Sequence, residues 1–180
     1  MSDVIPRGST ETRDDGTHLL RYVLRLPHPV IRVWAAVATP EGLPTWLCAA
    51  DLLEPRVGGA VTLRRLAASD PWAVPTGDAE VRHTVAEGHV TAWDVERVAE
   101  YTVSVHGRIR FHLEPHGDNG TVLRFTNELR CDDDVLLDRL AGWHNHFELL
   151  VDALEGRPVT DWKTWTPDRW RQLRESYAAA

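Results

Sequence analysis

The stretch DVLLDRLAGWHNHFELLVDALEG, residues 134–156, constrains the fold of this chain more than any other. Leu136, Leu140, Trp143, Phe147, Leu150 and Leu154 recur at alternating steps of four and three, the spacing that lines up one face of an α-helix. Leu137 and Val151 widen that stripe, so the helix has to be covered along its whole length. Asp132, Asp133 and Asp134 stand where carboxylates can cap free N–H groups and complement the positive end of the helix dipole. Gly156 followed by Pro158 is a stop signal. A helix over 134–155 would be about 33 Å long. What precedes it is mostly strand-like, so the natural partner for its apolar face is a sheet.

The first 16 residues are polar and are expected to be frayed. His18 to Leu26 then alternates, with Leu20, Tyr22, Leu24 and Leu26 on one face and Arg21 and Arg25 on the other, a half-buried strand. Pro27 and Pro29 end it. Val30, Val33, Trp34 and Val37 predict a short helix over 29–38, broken at Thr39-Pro40. A second short helix is expected from Pro40 to Trp46-Leu47, with Pro44 limiting its regularity. From Ala49 the period becomes two. Strands are predicted at 51–57 and 60–66 around a Gly58-Gly59 hairpin signal, then at 88–95, 99–105, 108–114 and 121–129. The last two flank the turn sequence HGDNG.

Between them, 67–84 carries Asp70-Pro71, Pro75 and Thr76-Gly77-Asp78 and reads as a long loop, with some strand near 81–85. A tail over 158–180 holds a helix at 167–177 carrying Trp170, Leu173 and Tyr177. The order predicts an α+β fold: a curved antiparallel sheet wrapped around the long C-terminal helix, two short helices closing one end. The main domain is placed at 17–157. A sheet curving away from the helix makes a cavity between them geometrically expected.

Composition excludes several function classes. At 180 residues with 43% hydrophobic and 26% charged content, the chain reads as one ordinary globular domain. A net charge of −7 argues against a nucleic-acid partner, which wants a basic face. No apolar run reaches membrane-spanning length, and the N-terminus lacks the apolar core of a signal peptide. Cys48 and Cys131 form neither a metal spacing nor a disulfide framework. A cytoplasmic setting follows, with no metal, no cofactor, no membrane partner, and room for a homodimer.

The segments VIRVWAAVATPEGLPTWL at 30–47, EPRVGGAVTLR at 54–64, GHVTAWDVERVAEYTV at 88–103, GTVLRFTNEL at 120–129 and GWHNHFELLVDALEG at 142–156 carry a resemblance. In their order and spacing the chain resembles the START-like (SRPBCC) superfamily, in the branch related to the C-terminal domain of the heat-shock protein 90 ATPase activator. The resemblance runs from about Leu20 to Gly156 and implies a helix-grip fold with a deep hydrophobic pocket. It implies binding of a small hydrophobic molecule; some members of the superfamily are cyclases or aromatases. The stand-alone bacterial branch mostly has no assigned reaction.

Trp34, Trp46, Trp93, Trp143 and Phe147 fall on elements that would surround such a cavity, as core or as pocket lining, with the sharper claim for Trp46, Trp143 and Phe147. His144 and His146 lie two apart on the helix, so they point about 200° apart and cannot share a metal. His144 is expected toward the pocket mouth and His146 toward solvent. His106, His112 and His116 are expected at the surface, and Arg64, Arg110 and Arg124 on the solvent face. Trp72 is the candidate lid. The first function expected is ligand binding without chemistry. The alternatives are a cyclase-like or hydratase-like enzyme using the same cavity, and a chaperone-associated interaction domain. No catalytic residue stands out, because an acid or base on an inward face is not evident.

Leu140→Ala and Phe147→Ala should each cost about 2–5 kcal/mol of unfolding free energy in a denaturant titration. Wild-type midpoints for both would mean that the apolar stripe faces solvent.

Overall fold

Alternating burial turns His18–Leu26 into the strand that anchors the sheet: Leu20, Tyr22, Leu24 and Leu26 face inward, while Arg21, Val23 and Arg25 face out. In the computed structural model, which describes residues 5–67 and 85–180, this strand is β2 of eight. The others are β1 (Ser9–Thr12), β3 (Ala49–Leu53), β4 (Ala60–Arg64), β5 (Val85–Asp94), β6 (Val98–Val103), β7 (Gly107–His116) and β8 (Gly120–Leu129). They form a single sheet in the order β1-β2-β8-β7-β6-β5-β4-β3, and each neighbouring pair is antiparallel. The long helix is α2 (Asp133–Leu154), and Tyr22, Phe111, Phe125, Leu123 and Leu113 of the inner face pack with its stripe in one core. Each large apolar side chain so buried contributes about 1.5–3 kcal/mol. The architecture is the α+β helix grip.

Several boundaries differ from the sequence reading. Residues 9–12, expected to be frayed, form an edge strand paired from Ser9↔Arg21 to Thr12↔His18. All four side chains are exposed, so no hydrophobic pattern could announce it. The strand expected over 51–57 is shorter and begins earlier, at Ala49. Gly58-Gly59 is therefore not a two-residue hairpin but the end of a longer connection over 54–59. There the Glu54 carboxylate accepts the Ala60 N–H, and the Gly58 N–H reaches the Val90 carbonyl of β5. The expected loop over 67–84, with Trp72, lies outside the described residues except for Ala67.

The first helix is α1 (Val30–Ala38). The second short helix shrinks to a 3₁₀ turn at Leu43–Thr45, since Pro44 offers no N–H to extend it. At the head of α2, Asp132 occupies the N-cap with extended backbone, but its side chain makes no capping bond. Asp133 and Asp134 act on the first turn through their charge instead. Gly156, at φ +85°, ends the helix in the left-handed conformation, and the Arg157 N–H returns to the Asp152 carbonyl.

The tail folds back. Helix α3 (Asp168–Ala178) lays Leu173 and Tyr177 on Ala141 of α2, with Leu137, Leu140 and Trp170 around them. Trp170 donates its indole N–H to the Asp138 carbonyl, Arg174 pairs with the Asp138 carboxylate, and Arg169 pairs with Glu148. With the sheet on one side and α3 on another, every residue from Ala141 to Phe147 is buried.

The β6–β7 turn depends on a glycine. Gly107 has φ +71°, and a Cβ there would stand 2.2 Å from the Glu128 carbonyl oxygen. Gly107→Ala should therefore lower the melting temperature well beyond the effect of an ordinary surface substitution, by more than about 1 kcal/mol in unfolding free energy. A variant as stable as wild type would show that the β7–β8 ladder can shift to admit a methyl group.

Candidate functional site

One end of the sheet gathers the start of β2, β3 and β7 and the end of β4, β6 and β8, as their pairing register requires. The head of α2 emerges there from β8. The opposite end is closed by α1, where Thr121 of β8 donates to the His28 carbonyl. Between these ends, sheet and α2 enclose an aromatic interior.

Trp143 and Phe147, one turn apart on α2, stack at 5.7 Å with 25° between their planes. Trp46 also stacks with Phe147, at 6.1 Å and 22°. Phe125 of β8 approaches Trp143 to 4.3 Å, and Phe111 of β7 meets Trp46, Phe125 and Trp143. Offset and edge contacts of this kind add to the burial of each ring. The polar edges are satisfied from the backbone: Trp46 donates to the Ala36 carbonyl at 2.9 Å and Tyr101 to that of Val37 at 3.0 Å. The structure thus brings together Trp46, Trp143 and Phe147. Trp34 and Trp93 form a separate pair at 5.1 Å beside α1, joined to the main group through Tyr101.

His144 leaves this group. Its Nδ1 lies 2.9 Å from the Tyr177 hydroxyl of α3, and its Nε2 lies 3.7 Å from Glu148. Tyr22 extends the chain, 3.1 Å from the Tyr177 hydroxyl while donating to the Leu140 carbonyl at 2.6 Å. His146, expected in solvent, is buried. Its Nδ1–H donates to the Trp46 carbonyl, and Trp162 of the tail lies beside the ring, so the folded-back tail removes the surface that the sequence assigned to it.

The interior also holds polar groups that sequence reasoning missed. Asn127 is 1% exposed and occupies the inward register of β8 in line with Leu123, Phe125 and Leu129. Its amide donates to the His106 and Arg108 carbonyls, and its oxygen accepts the Trp143 indole N–H at 3.1 Å. Arg139 is 2% exposed and donates to His106 Nδ1 at 2.6 Å. A guanidinium can only donate, so His106 accepts through a neutral Nδ1. His106 was expected at the surface; the tight turn after β6 carries its ring inward onto α2 instead.

Two sequence signals could have found these residues. Arg139 stands three after Leu136 and four before Trp143, on the buried stripe, and Asn127 interrupts an otherwise apolar alternation. His112 keeps to the outward register, 3.9 Å from Glu114. Cys48 and Cys131 are half-buried and are not joined in a disulfide. Among the described residues no group of three or more His, Cys, Asp and Glu is placed to hold a metal ion, and no helix is long and apolar enough to cross a membrane.

Burial, and then the Arg139 charge, hold the His106 imidazole well below its ordinary value of 6.5, and burial likewise lowers His144. Both rings take up protons more readily in the unfolded chain than in the folded one. Their contribution is intact above about pH 6.5 and is lost as pH falls from there toward the folded-state values. Melting temperature should fall between about pH 7 and pH 5, and His106→Gln should flatten the fall. An identical pH profile in that variant would show His106 to titrate alike in both states.

The geometry agrees with the comparisons. Residues 27–155 match the family described as activator of Hsp90 ATPase homolog 1-like protein. The crystal structure of CalU16 from Micromonospora echinospora is similar at a TM-score of 0.67 and 18% identity, with 98% of each chain covered. A conserved protein of unknown function from Enterococcus faecalis reaches 0.70 at 14% identity, covering 96% of this chain and 88% of its own. The protein encoded by gene BPP1335 from Bordetella parapertussis reaches 0.62 at 25% identity, covering 99% and 93%. None of the curated proteins matches the sequence. With the family match spanning most of the chain and the helix grip in place, the protein belongs to the activator of Hsp90 ATPase homolog 1-like family.

Proposed function

We propose that this protein binds a small hydrophobic molecule between the sheet and α2, on the floor made by Trp46, Trp143 and Phe147. The observation that carries the reading is the character of that floor. Three large rings, all fully buried, pack together through Phe147, and half-buried Leu136, Leu140 and Cys48 pack against the same core. Such rings offer broad dispersion contact at little rotamer cost. Asn127 and the His106–Arg139 pair give the same interior a few fixed polar groups, the usual complement of an apolar ligand site. The family and its fold support a ligand-binding domain in general.

A cavity enzyme needs a positioned acid or base. The His106 Nδ1 lone pair is already taken by Arg139, so that nitrogen is not free to accept a substrate proton. Binding without chemistry is the better reading.

Native mass spectrometry of protein purified from its host should show a constant mass excess that disappears on denaturation. An apolar naphthalene sulfonate probe should compete for the same site and saturate. Trp143→Phe removes the donor to Asn127 and Phe147→Leu opens space among buried rings, so each should lower stability by about 1–3 kcal/mol. Both should weaken the probe at a temperature where the variants remain folded. A probe that never saturates, or that ignores both substitutions, would place the hydrophobic contact elsewhere.

A further inference from the structure

The outer face of the sheet, turned away from α2, carries a concavity. It is a groove of about 780 Å³ reaching from Thr91 of β5 across β6, β7 and β8 to Thr17 and Arg130. That falls within the span of roughly 300–1,000 Å³ common among small-molecule sites. Glu100 and Thr102 line it from the side of β6 opposite Tyr101, while Val103 and Leu129 of the core border it at the strand ends.

Three observations mark the groove as built. Glu100 is a carboxylate only 5% exposed, on the face where its neighbour Thr102 is open to solvent. One of its oxygens accepts from Thr91 Oγ1 at 2.7 Å and the other from Arg110 at 3.0 Å. Thr91 sits where the β5–β6 register shifts, between Val90 and Ala92, and bulges of this kind re-aim a side chain next to binding sites. At the end of the groove Val105 has φ +68°, a conformation that a β-branched residue rarely takes, and its side chain is left exposed. Backbone strain that a fold maintains concentrates at ligand sites.

The chemistry selects the ligand. The Thr91 hydroxyl proton goes to Glu100, so the 2.9 Å contact between Thr91 and Thr102 uses the proton of Thr102. Thr102 therefore offers further partners only its acceptor capacity. Each charge already has a partner: Glu100 with Arg110, Glu128 with both Arg108 and Arg13, and Arg130 with Asp15. A cation would compete with the arginines for Glu128, and an anion would compete with Glu128 and Asp15 for Arg108 and Arg130. A neutral ligand bearing several hydroxyls would do neither. Its O–H groups can donate to Thr102 and Glu128, its oxygens can accept from the remaining N–H groups of Arg108 and Arg130, and its C–H face can rest on Val105. We propose that this groove binds a neutral polyhydroxylated molecule, of the saccharide or cyclitol class.

The test is amide NMR titration of the full chain with maltose and with myo-inositol, beside inorganic phosphate and glycine as charged controls. The expected result is saturable shifts at Thr102, Val105, Gly107, Glu128 and Arg130 with at least one of the two polyols. Thr102→Val keeps the shape and the strand preference but removes the acceptor, and Arg130→Ala removes the rim donor. Each should weaken that binding by about tenfold with an unchanged melting temperature. Silence of both polyols at these amides would overturn the proposal. So would saturation by phosphate or glycine alone, or equal affinity in wild type and both variants.

Discussion

The contact between Trp143 and Phe125, at 4.3 Å, is the one on which the rest of this structure depends. It joins α2 to the sheet at the middle of both elements, and Phe147, Trp46 and Phe111 extend it into a continuous aromatic core. Rings of this size contribute more by burial than any polar contact in the molecule. With α2 held there, the sheet must curve around it, and α1 closes one end of the grip.

Polar groups then decide how α2 sits. Apolar packing alone tolerates sliding and rotation, whereas a buried hydrogen bond has a fixed partner at a fixed distance. Trp143 on Asn127, Arg139 on His106, His146 on the Trp46 carbonyl and Tyr22 on the Leu140 carbonyl lock the helix to four different elements. Burying such groups without partners would cost several kilocalories each. They are tolerated because each has a fixed partner, the Asn127 and His106 side chains in two cases and a backbone carbonyl in the other two. The same groups bring polarity into an interior otherwise made for apolar contact, which is where a ligand reading finds its specificity.

The two faces of the sheet have different physical characters. Inside, period-two alternation delivers leucine, valine and aromatic rings. Outside, it delivers cross-strand charge, Glu100 opposite Arg110 and Arg108 opposite Glu128. A partly exposed pair such as Arg108–Glu128 adds little to stability, commonly under about 1 kcal/mol. The consequence of such pairs is that the outer surface presents ordered donors and acceptors with its charges paired. The fold therefore offers two chemically distinct surfaces on one sheet.

Period and punctuation determined much of this protein. The steps of four and three in α2, the alternation in β2 and β8, the Gly156 stop and the aromatic positions all follow from local sequence, because helix and strand geometry repeat over a few residues. Tertiary structure decided the rest. β1 carries no apolar side chain and exists only because β2 offers it an edge. His146 and His144 are interior residues because the tail, far along the chain, returns to cover α2. Arg139 and His106 meet across 33 positions because a turn with two left-handed residues, Val105 and Gly107, aims one at the other. Such contacts join residues distant in sequence, and no local pattern encodes a partner that only the folded chain brings near.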